Sequence, residues 1–157
     1  MSALTDALVE ELEQTRKFFG TTTAVFDAAD ASFAPTSEMY TVAGQIAHVG
    51  LTLDWFLAGA FGPGWNMDFE ADIARAKAIT TLDAARAAVA DGFARAIRTI
   101  SDSSDADLQA PIPDDVIMNG APRKAIVAAI VDHCAHHRGS LAVYARLLGK
   151  VPPMPYS

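Results

Sequence analysis

Two histidines near the C-terminal end of the sequence lie four residues apart in an apolar stretch. His133 and His137 belong to the segment VDHCAHHRG. On an α-helix this spacing puts both imidazoles on one face, one turn apart, where both can bind one metal ion. A buried imidazole without a partner costs on the order of 1–3 kcal/mol, and a shared ion would supply that partner. The pair therefore predicts part of a metal site.

The apolar residues around this pair have the periodicity of one buried helix face. In steps of three and four residues, the face consists of Ile126, Ile130, His133, His137, Leu141, Tyr144 and Leu148. The two histidines occupy positions at which a core helix normally carries Leu or Ile. A single histidine on such a face is usually a hydrogen-bonded core residue, whereas two at this spacing favour a metal site.

Of the four histidines in the chain, one lies outside this segment. His48 is found in a second apolar stretch, beside the stripe of Ile46, Val49 and Leu53. Taken alone, it would be interpreted as a rim histidine that packs against Trp55. A catalytic metal site normally has three protein ligands and one open position. Together with the C-terminal pair, His48 is therefore better interpreted as the third ligand.

The sequence gives weaker support for roles of other polar residues close to the histidines. Gln45, three residues before His48, could hold a metal-bound water. Asp132 could orient a ligand imidazole from a neighbouring helix, but a solvated surface acid is the better interpretation. His136 points about 100° away from His137 on an ideal helix and is interpreted as a supporting or surface residue.

The sequence predicts no functional role for Asp54 or Glu70. Cys134 directly follows His133 and therefore points away from the predicted site. A free cysteine in a helix is most often a small buried apolar group. No catalytic role is predicted for this thiol.

The composition indicates one globular domain over residues 1–157. Hydrophobic residues make up 51% of the chain and charged residues 20%. The net charge is −7, and the only local basic cluster is the pair Arg123 and Lys124. Because nucleic-acid binding depends on Lys and Arg that neutralise phosphates, DNA and RNA are not predicted as partners.

The single cysteine excludes an intrachain disulfide and fits a reducing compartment. The N-terminus lacks the pattern of a secretory signal. No stretch reaches the roughly 18 apolar residues of a membrane span. The sequence therefore predicts a cytoplasmic protein without a membrane partner.

Four long segments have helical periodicity, and strand patterns are nearly absent. They cover about residues 3–29, 41–61, 80–100 and 120–148, and a weaker pattern predicts one extra short helix over 69–79. Thr41 is predicted to cap the second helix, and Asn119 or Gly120 the last, with Pro122 in its first turn. Residues 101–120 are polar and are predicted to form a long connection. The fold class is all-α, a four-helix bundle.

The last helix resembles that of the DinB/YfiT-like four-helix-bundle proteins. Their pattern is H-x-x-x-H-R-G-Q, followed by an aliphatic and aromatic run, a leucine pair, a glycine and soon a proline. His133, His137, Arg138 and Gly139 stand at the matching positions, and the ending LLG matches as well. Ser140 replaces the usual glutamine, which affects no ligand.

The segment TVAGQIAHVGLTLDWFLAGAFG similarly resembles the second helix of that family, with His48 at the place of its single histidine. The resemblance implies a three-histidine site for a divalent metal ion, zinc first and nickel second, and often a homodimer. The better-understood relatives look like transferases or isomerases that use low-molecular-weight thiols such as bacillithiol or mycothiol. The name of the family, taken from a DNA-damage-inducible gene, is not evidence of DNA binding.

The first functional hypothesis is a metal-dependent enzyme with His48, His133 and His137 as ligands. Three neutral imidazoles leave the ion its full charge, so that a bound thiol or water would lose its proton near neutral pH. The reaction would be S-transfer or isomerisation on a small electrophile. The long acidic connection and the region of Trp65 are predicted to form the rim of the pocket.

Two other hypotheses remain open from the sequence. One is a non-catalytic, metal-stabilised bundle that binds a small molecule or a partner protein. Trp65, Met67 and Phe69 would then serve a ligand or dimer surface. The other is a plain bundle with three hydrogen-bonded histidines and no metal.

Overall fold

The computed structural model describes residues 2–156, which form an all-helical fold. In chain order, the helices are α1 (Ala3–Thr23), α2 (Val42–Phe61), α3 (Phe69–Lys77), α4 (Leu82–Asp102), α5 (Asp105–Gln109) and α6 (Ala125–Leu147). The long helices α1, α2, α4 and α6 are those of the predicted bundle, and α3 is the predicted short helix. No described helix is both long and apolar enough to cross a membrane.

Each long helix packs against two others. Both α1 and α2 contact α4 on one side and α6 on the other, and α3 lies against α2. The largest fully buried side chains come from all four long helices and include Leu12, Phe19, Ile46, Phe93 and Ile130. The second and last helices, which carry the candidate ligands, are therefore direct neighbours.

The backbones of α2 and α4 approach each other closely at two glycines. A Cβ atom on Gly50 would lie 2.4 Å from the carbonyl carbon of Ala88. A Cβ atom on Gly92 would lie 2.6 Å from the carbonyl oxygen of Gly50. Both positions require glycine because the opposite backbone occupies the space of a side chain.

The cap predicted at the start of α2 is confirmed. The hydroxyl of Thr41 accepts a hydrogen bond from the N–H of Gly44 at 3.0 Å. Such a cap satisfies one of the backbone donors that have no partner inside the helix. It begins the helix about one turn before Gln45 and two turns before His48, so both lie on regular helix.

The first helix ends at Thr23, whereas its apolar pattern predicts a helix to Ala29. Side chains here form local hydrogen bonds that compete with the helix. Asp27 caps a separate 3-10 turn, Ala28–Asp30: its carboxylate accepts the N–H of Ala29 at 3.0 Å, and Asp30 accepts the N–H of Asp27 at 2.8 Å.

The connection over residues 101–120 is more ordered than its polar composition indicates. The fourth helix continues into it, and α5 follows, which the sequence pattern did not predict. Ser104 and Asp107 cap α5 reciprocally, with distances of 3.1 and 3.3 Å between backbone nitrogens and side-chain oxygens. Leu108 is fully buried and anchors the connection in the core.

The last helix begins later than predicted, at Ala125. Asn119 has a φ of +49° and Gly120 a φ of +66°, both in the left-handed region, so a right-handed helix cannot start there. Pro122 precedes the helix and forms an isolated β-bridge with Pro111. The start of α6 is thus set by pairing with the preceding connection rather than by a side-chain cap.

Candidate metal centre

Three histidines converge between α2 and α6. The ring centroids of His133 and His137 lie 4.5 Å apart, and those of His48 and His137 lie 4.7 Å apart. One ligand nitrogen from each residue lies within 4.8 Å of the other two. The structure therefore brings together all three histidines that the sequence singles out, in a group that could hold a metal ion.

The shortest contact in this group joins Nε2 of His48 to Nε2 of His133 at 3.2 Å. Such a contact is either a hydrogen bond between two imidazoles or a pair of nitrogens directed at one ion. Two nitrogens bound to a tetrahedral zinc ion at about 2.0–2.1 Å are about 3.3 Å apart. The spacing of this pair thus fits two ligands of one ion.

Burial lowers the pKa values of the three imidazoles. It is the main cause that lowers the pKa of His133 to about 3 and that of His137 to about 4, and the neighbouring imidazoles add to both shifts. Burial also lowers the pKa of His48, against an opposing effect of Asp72. Because metal ions bind the neutral imidazole, these rings are ready ligands at neutral pH.

Two polar side chains contact the ring nitrogens that do not face the cluster. The side-chain nitrogen of Gln45 lies 3.0 Å from Nδ1 of His137, so Nε2 is the nitrogen of His137 on the side away from Gln45. The hydroxyl oxygen of Thr52 lies 3.4 Å from Nδ1 of His48. Nδ1 of His133 is buried and has no hydrogen-bond partner within residues 2–156. Gln45 thus contacts a histidine of the cluster directly.

The other candidates from the sequence lie away from the cluster. Asp54 forms a two-pronged ion pair with Arg95, at 2.6 and 2.8 Å. Asp132 and Glu70 are exposed, which agrees with a surface acid at Asp132. These carboxylates are not positioned as ligands of the histidine group.

His136 and Cys134 have the orientations expected from the helix. His136 is exposed, and its ring meets that of His137 edge-on at 4.9 Å. Cys134 is 2% exposed, and burial raises the pKa of its thiol to about 12. The thiol faces α1, beside Thr15 and Phe19. The chain therefore brings no thiolate of its own to the histidine cluster.

A cavity of about 310 Å³ opens beside the cluster, and His48 and His133 form part of its wall. Most of the remaining wall is apolar or aromatic: Tyr40, Leu51, Trp55, Phe56, Phe69 and Ile73. A mainly apolar cleft with a few convergent polar groups is the usual form of a small-molecule site. His48 and His133 thus face a space in which a small molecule can bind.

The residues that line the cavity differ from those predicted to form its rim. Residues 101–120, all of which the structure describes, contribute nothing to its wall. Trp65 is buried, donates its indole N–H to the carbonyl of Asp114 at 3.0 Å, and supports Trp55 with ring centroids 4.6 Å apart. The rim comes instead from α3, on which the sequence indicates only Phe69 as part of a ligand surface.

Tyr40 and Asp72 are cavity residues that the sequence pattern does not reveal. The ring of Tyr40 stacks on that of His48, with centroids 5.1 Å apart and planes at 22°. Asp72 pairs with Arg75 one turn along α3, and its charge acts on both Tyr40 and His48. The only sequence signal was the weak amphipathic pattern of α3, which does not tell what the helix covers.

Comparison with known proteins agrees with this geometry. The sequence model of the DinB superfamily matches residues 7–141, which is most of the chain and includes all three clustered histidines. No curated protein matches the chain. By this match the chain belongs to the DinB superfamily.

Proposed function

We propose that this protein is a divalent-metal-dependent enzyme whose ligands are His48, His133 and His137. We further propose that it catalyses a thiol-dependent S-transfer or isomerisation on a small electrophile. The observation that carries the proposal is the group of three imidazole nitrogens, within 4.8 Å of one another, beside a cavity of about 310 Å³.

The ligand set determines the chemistry that an ion would supply. A divalent cation with three neutral ligands keeps its charge and lowers the pKa of a thiol or water that binds to it. The residues of the chain do the rest. Aromatic side chains of the cavity bind the apolar part of a substrate and exclude water. Tyr40, stacked on His48, restricts the orientation of that ring.

The use of a low-molecular-weight thiol is supported by the family resemblance and by the character of Cys134. Because the only cysteine is buried and its thiol has a raised pKa, a thiolate would have to come from a second substrate. The apolar cavity supports a small, largely uncharged electrophile. Zinc is the first proposal for the metal and nickel the second, since three nitrogen ligands do not select between them.

The test is elemental analysis of protein purified without a metal-affinity column. We expect about one equivalent of zinc or nickel in the wild type. His137→Ala should lose the metal, whereas His136→Ala should retain it, because His136 is exposed outside the cluster. A metal-loaded protein then justifies a screen of thiols against electrophiles. Wild-type protein that neither contains nor takes up a metal ion would refute the proposal.

A second candidate function is a non-catalytic, metal-stabilised binding module. It is favoured by large apolar side chains with substantial exposure on and around α3: Met67 at 47%, Phe69 at 49% and Ile73 at 42%. His48→Ala separates the candidates. In a structural site this change lowers stability first, whereas in a catalytic site turnover is lost while the bundle stays folded.

Assembly and location remain proposals. We propose a homodimer, for which Val143 and Leu147 offer an apolar face on α6, with 56% and 60% of their surfaces exposed. Sedimentation equilibrium would measure the mass directly. A cytoplasmic location, with neither nucleic acid nor membrane as partner, is tested by cell fractionation.

A further inference from the structure

The amide of Gln45 is buried beside the histidine cluster, and one of its two polar atoms lacks a hydrogen-bond partner among the described residues. Only 5% of the residue is exposed. Its nitrogen lies 3.0 Å from Nδ1 of His137, and its buried oxygen has no hydrogen-bond partner in the part of the chain that the structure describes. Rotation of the amide by 180° would leave the nitrogen without a partner instead of the oxygen. The hydrogen bond to Nδ1 of His137 therefore decides the orientation of the amide.

The orientation of this amide determines which nitrogen of His137 carries a hydrogen. With the amide nitrogen toward Nδ1, the amide donates, so the hydrogen of neutral His137 must be on Nε2. That nitrogen could not then bind an ion. The two ends of a Gln amide have nearly the same shape and exchange by a 180° rotation. After that rotation, Nδ1–H donates to the amide oxygen and Nε2 has a free lone pair.

Thr52 favours the same tautomer at His48, with the hydrogen on Nδ1. Its hydroxyl donates to the backbone carbonyl of His48 at 2.7 Å, so its single hydrogen is already used. The Thr52 oxygen, 3.4 Å from Nδ1 of His48, can then only accept from that nitrogen. His48 is thus also held with its hydrogen on Nδ1 and with Nε2 free toward His133.

We propose that Gln45 is a positioning residue whose amide oxygen accepts the Nδ1–H of His137 and so directs the Nε2 lone pair of that ring into the cluster. This inference rests on the proposed metal site. Gln45 precedes His48 by three residues and therefore lies on the same face of α2. One turn of α2 thus contributes one candidate ligand and orients another ligand on α6.

The tautomer can be measured without any metal. Long-range proton–nitrogen correlation spectra of the metal-free wild type distinguish Nδ1–H from Nε2–H imidazoles, and His137→Ala assigns the signal. We expect His137 as the Nδ1–H tautomer in the wild type and as a mixture in Gln45→Met, which removes the acceptor at similar size. An Nε2–H tautomer in the wild type would overturn the inference, even if the protein binds a metal by other means.

Metal affinity gives a second, independent measurement. Zinc titration should show that Gln45→Met weakens binding by about 10- to 100-fold, the usual effect of losing such a partner. Gln45→Glu should bind zinc at least as tightly as the wild type, because a carboxylate also accepts from Nδ1–H. The control is Gln14→Met, since Gln14 is exposed on α1 and its side chain donates a hydrogen bond to Glu10.

The methionine variant distinguishes the two amide orientations. If the amide of residue 45 instead donates to Nδ1, the hydrogen of His137 lies on Nε2 in the wild type. Gln45→Met then removes that constraint, and zinc binding does not weaken. That result would refute the inference. Absence of zinc binding in every variant would refute the proposed function, while the tautomer spectra would still decide the role of Gln45.

Discussion

His48 of α2 and His133 of α6 place their Nε2 atoms 3.2 Å apart, although 85 positions separate them in the sequence. Neither ring is fully buried, and the cavity wall includes both. Their contact forms across the packing of two long helices. Whatever binds between these nitrogens therefore also bears on the stability of the bundle.

Removal of a bound metal ion should destabilise the protein. An ion that binds only the folded state raises the free energy of unfolding by about 2.7 kcal/mol when its free concentration is 100 times its dissociation constant. For a chain of this size we expect the melting temperature to fall by several degrees when a chelator is added, as measured by calorimetry. His137→Ala should melt at the same temperature with and without the chelator. A wild type that is insensitive to zinc and chelator alike would contradict the prediction.

The stability of the metal-free protein should decrease as the pH falls below about 6.5. The unfolded chain protonates its histidines near that pH. The folded chain resists protonation, with pKa values of about 3 for His133 and about 4 for His137. Between these limits the unfolded state binds more protons, so the free energy of unfolding falls by at most about 1.4 kcal/mol per pH unit for each imidazole.

Urea unfolding of chelated protein from roughly pH 7 to 5 would measure this slope, above the range where most carboxylates titrate. A variant with both His133→Leu and His137→Leu should lose most of the pH dependence. An equal slope in this variant would assign the pH dependence to other groups.

A charge in the cavity wall should weaken the binding of apolar ligands. Ile73 lines the cavity, and both tryptophans of the chain, Trp55 and Trp65, lie beside it. Energy transfer from tryptophan to anilinonaphthalene sulfonate would report binding. We expect Ile73→Asp to raise the dissociation constant about 10-fold, which corresponds to one lost apolar contact of about 1.4 kcal/mol. Val143→Asp, which changes an exposed residue outside the cavity, should have little effect.

Two glycine-to-alanine changes should have opposite effects on stability. In Gly50→Ala the new methyl group would meet the backbone at 2.4 Å, so we expect a loss of about 1–3 kcal/mol. In Gly139→Ala the methyl group has no neighbour within 4 Å, and we expect a gain of about 0.5–1 kcal/mol from improved helix propensity. Urea denaturation measures both. Equal stability of the two variants would contradict the close approach of α2 and α4.

The thiol of Cys134 should be unreactive in the native protein. It is 2% exposed, and its pKa is raised to about 12, so thiolate is scarce at neutral pH. We expect labelling by Ellman's reagent to be at least about 100-fold slower in buffer than in urea. Rapid labelling of the native protein would contradict its burial and reopen a role for this thiol in the reaction.

The histidine group could be predicted because it interrupts a regular pattern. Two polar residues on the buried face of α6 are conspicuous once the helical period is counted, and His48 was the remaining histidine in an apolar stretch. The partner of Asp54 could not be predicted in the same way. Its pairing with Arg95, 41 positions away, depends on how α2 and α4 face each other.

The cavity and the helix ends were the parts that the sequence pattern could not predict. Tyr40 directly precedes α2, whereas Asp72 lies on α3, and the docking of α3 on α2 brings Asp72 to Tyr40 and the histidines. Side-chain hydrogen bonds around Asp27 end the first helical region early. Such side-chain hydrogen bonds are close in free energy to the backbone hydrogen bonds of a helix. Apolar periodicity alone therefore does not locate the end of the helix.

The contact between Gly50 and Gly92 has a mechanical consequence for the proposed metal site. Because backbone meets backbone there, α2 cannot shift toward α4, and His48 is attached to a rigid support only two residues away. The other two histidines share one helix, so their spacing is fixed by its pitch. The distance between His133 and His137 is therefore nearly constant, and His48 is fixed relative to α4. Within the proposed metal site, we expect a larger ion to be accommodated by rotation of the imidazoles or by movement of α6 relative to α2.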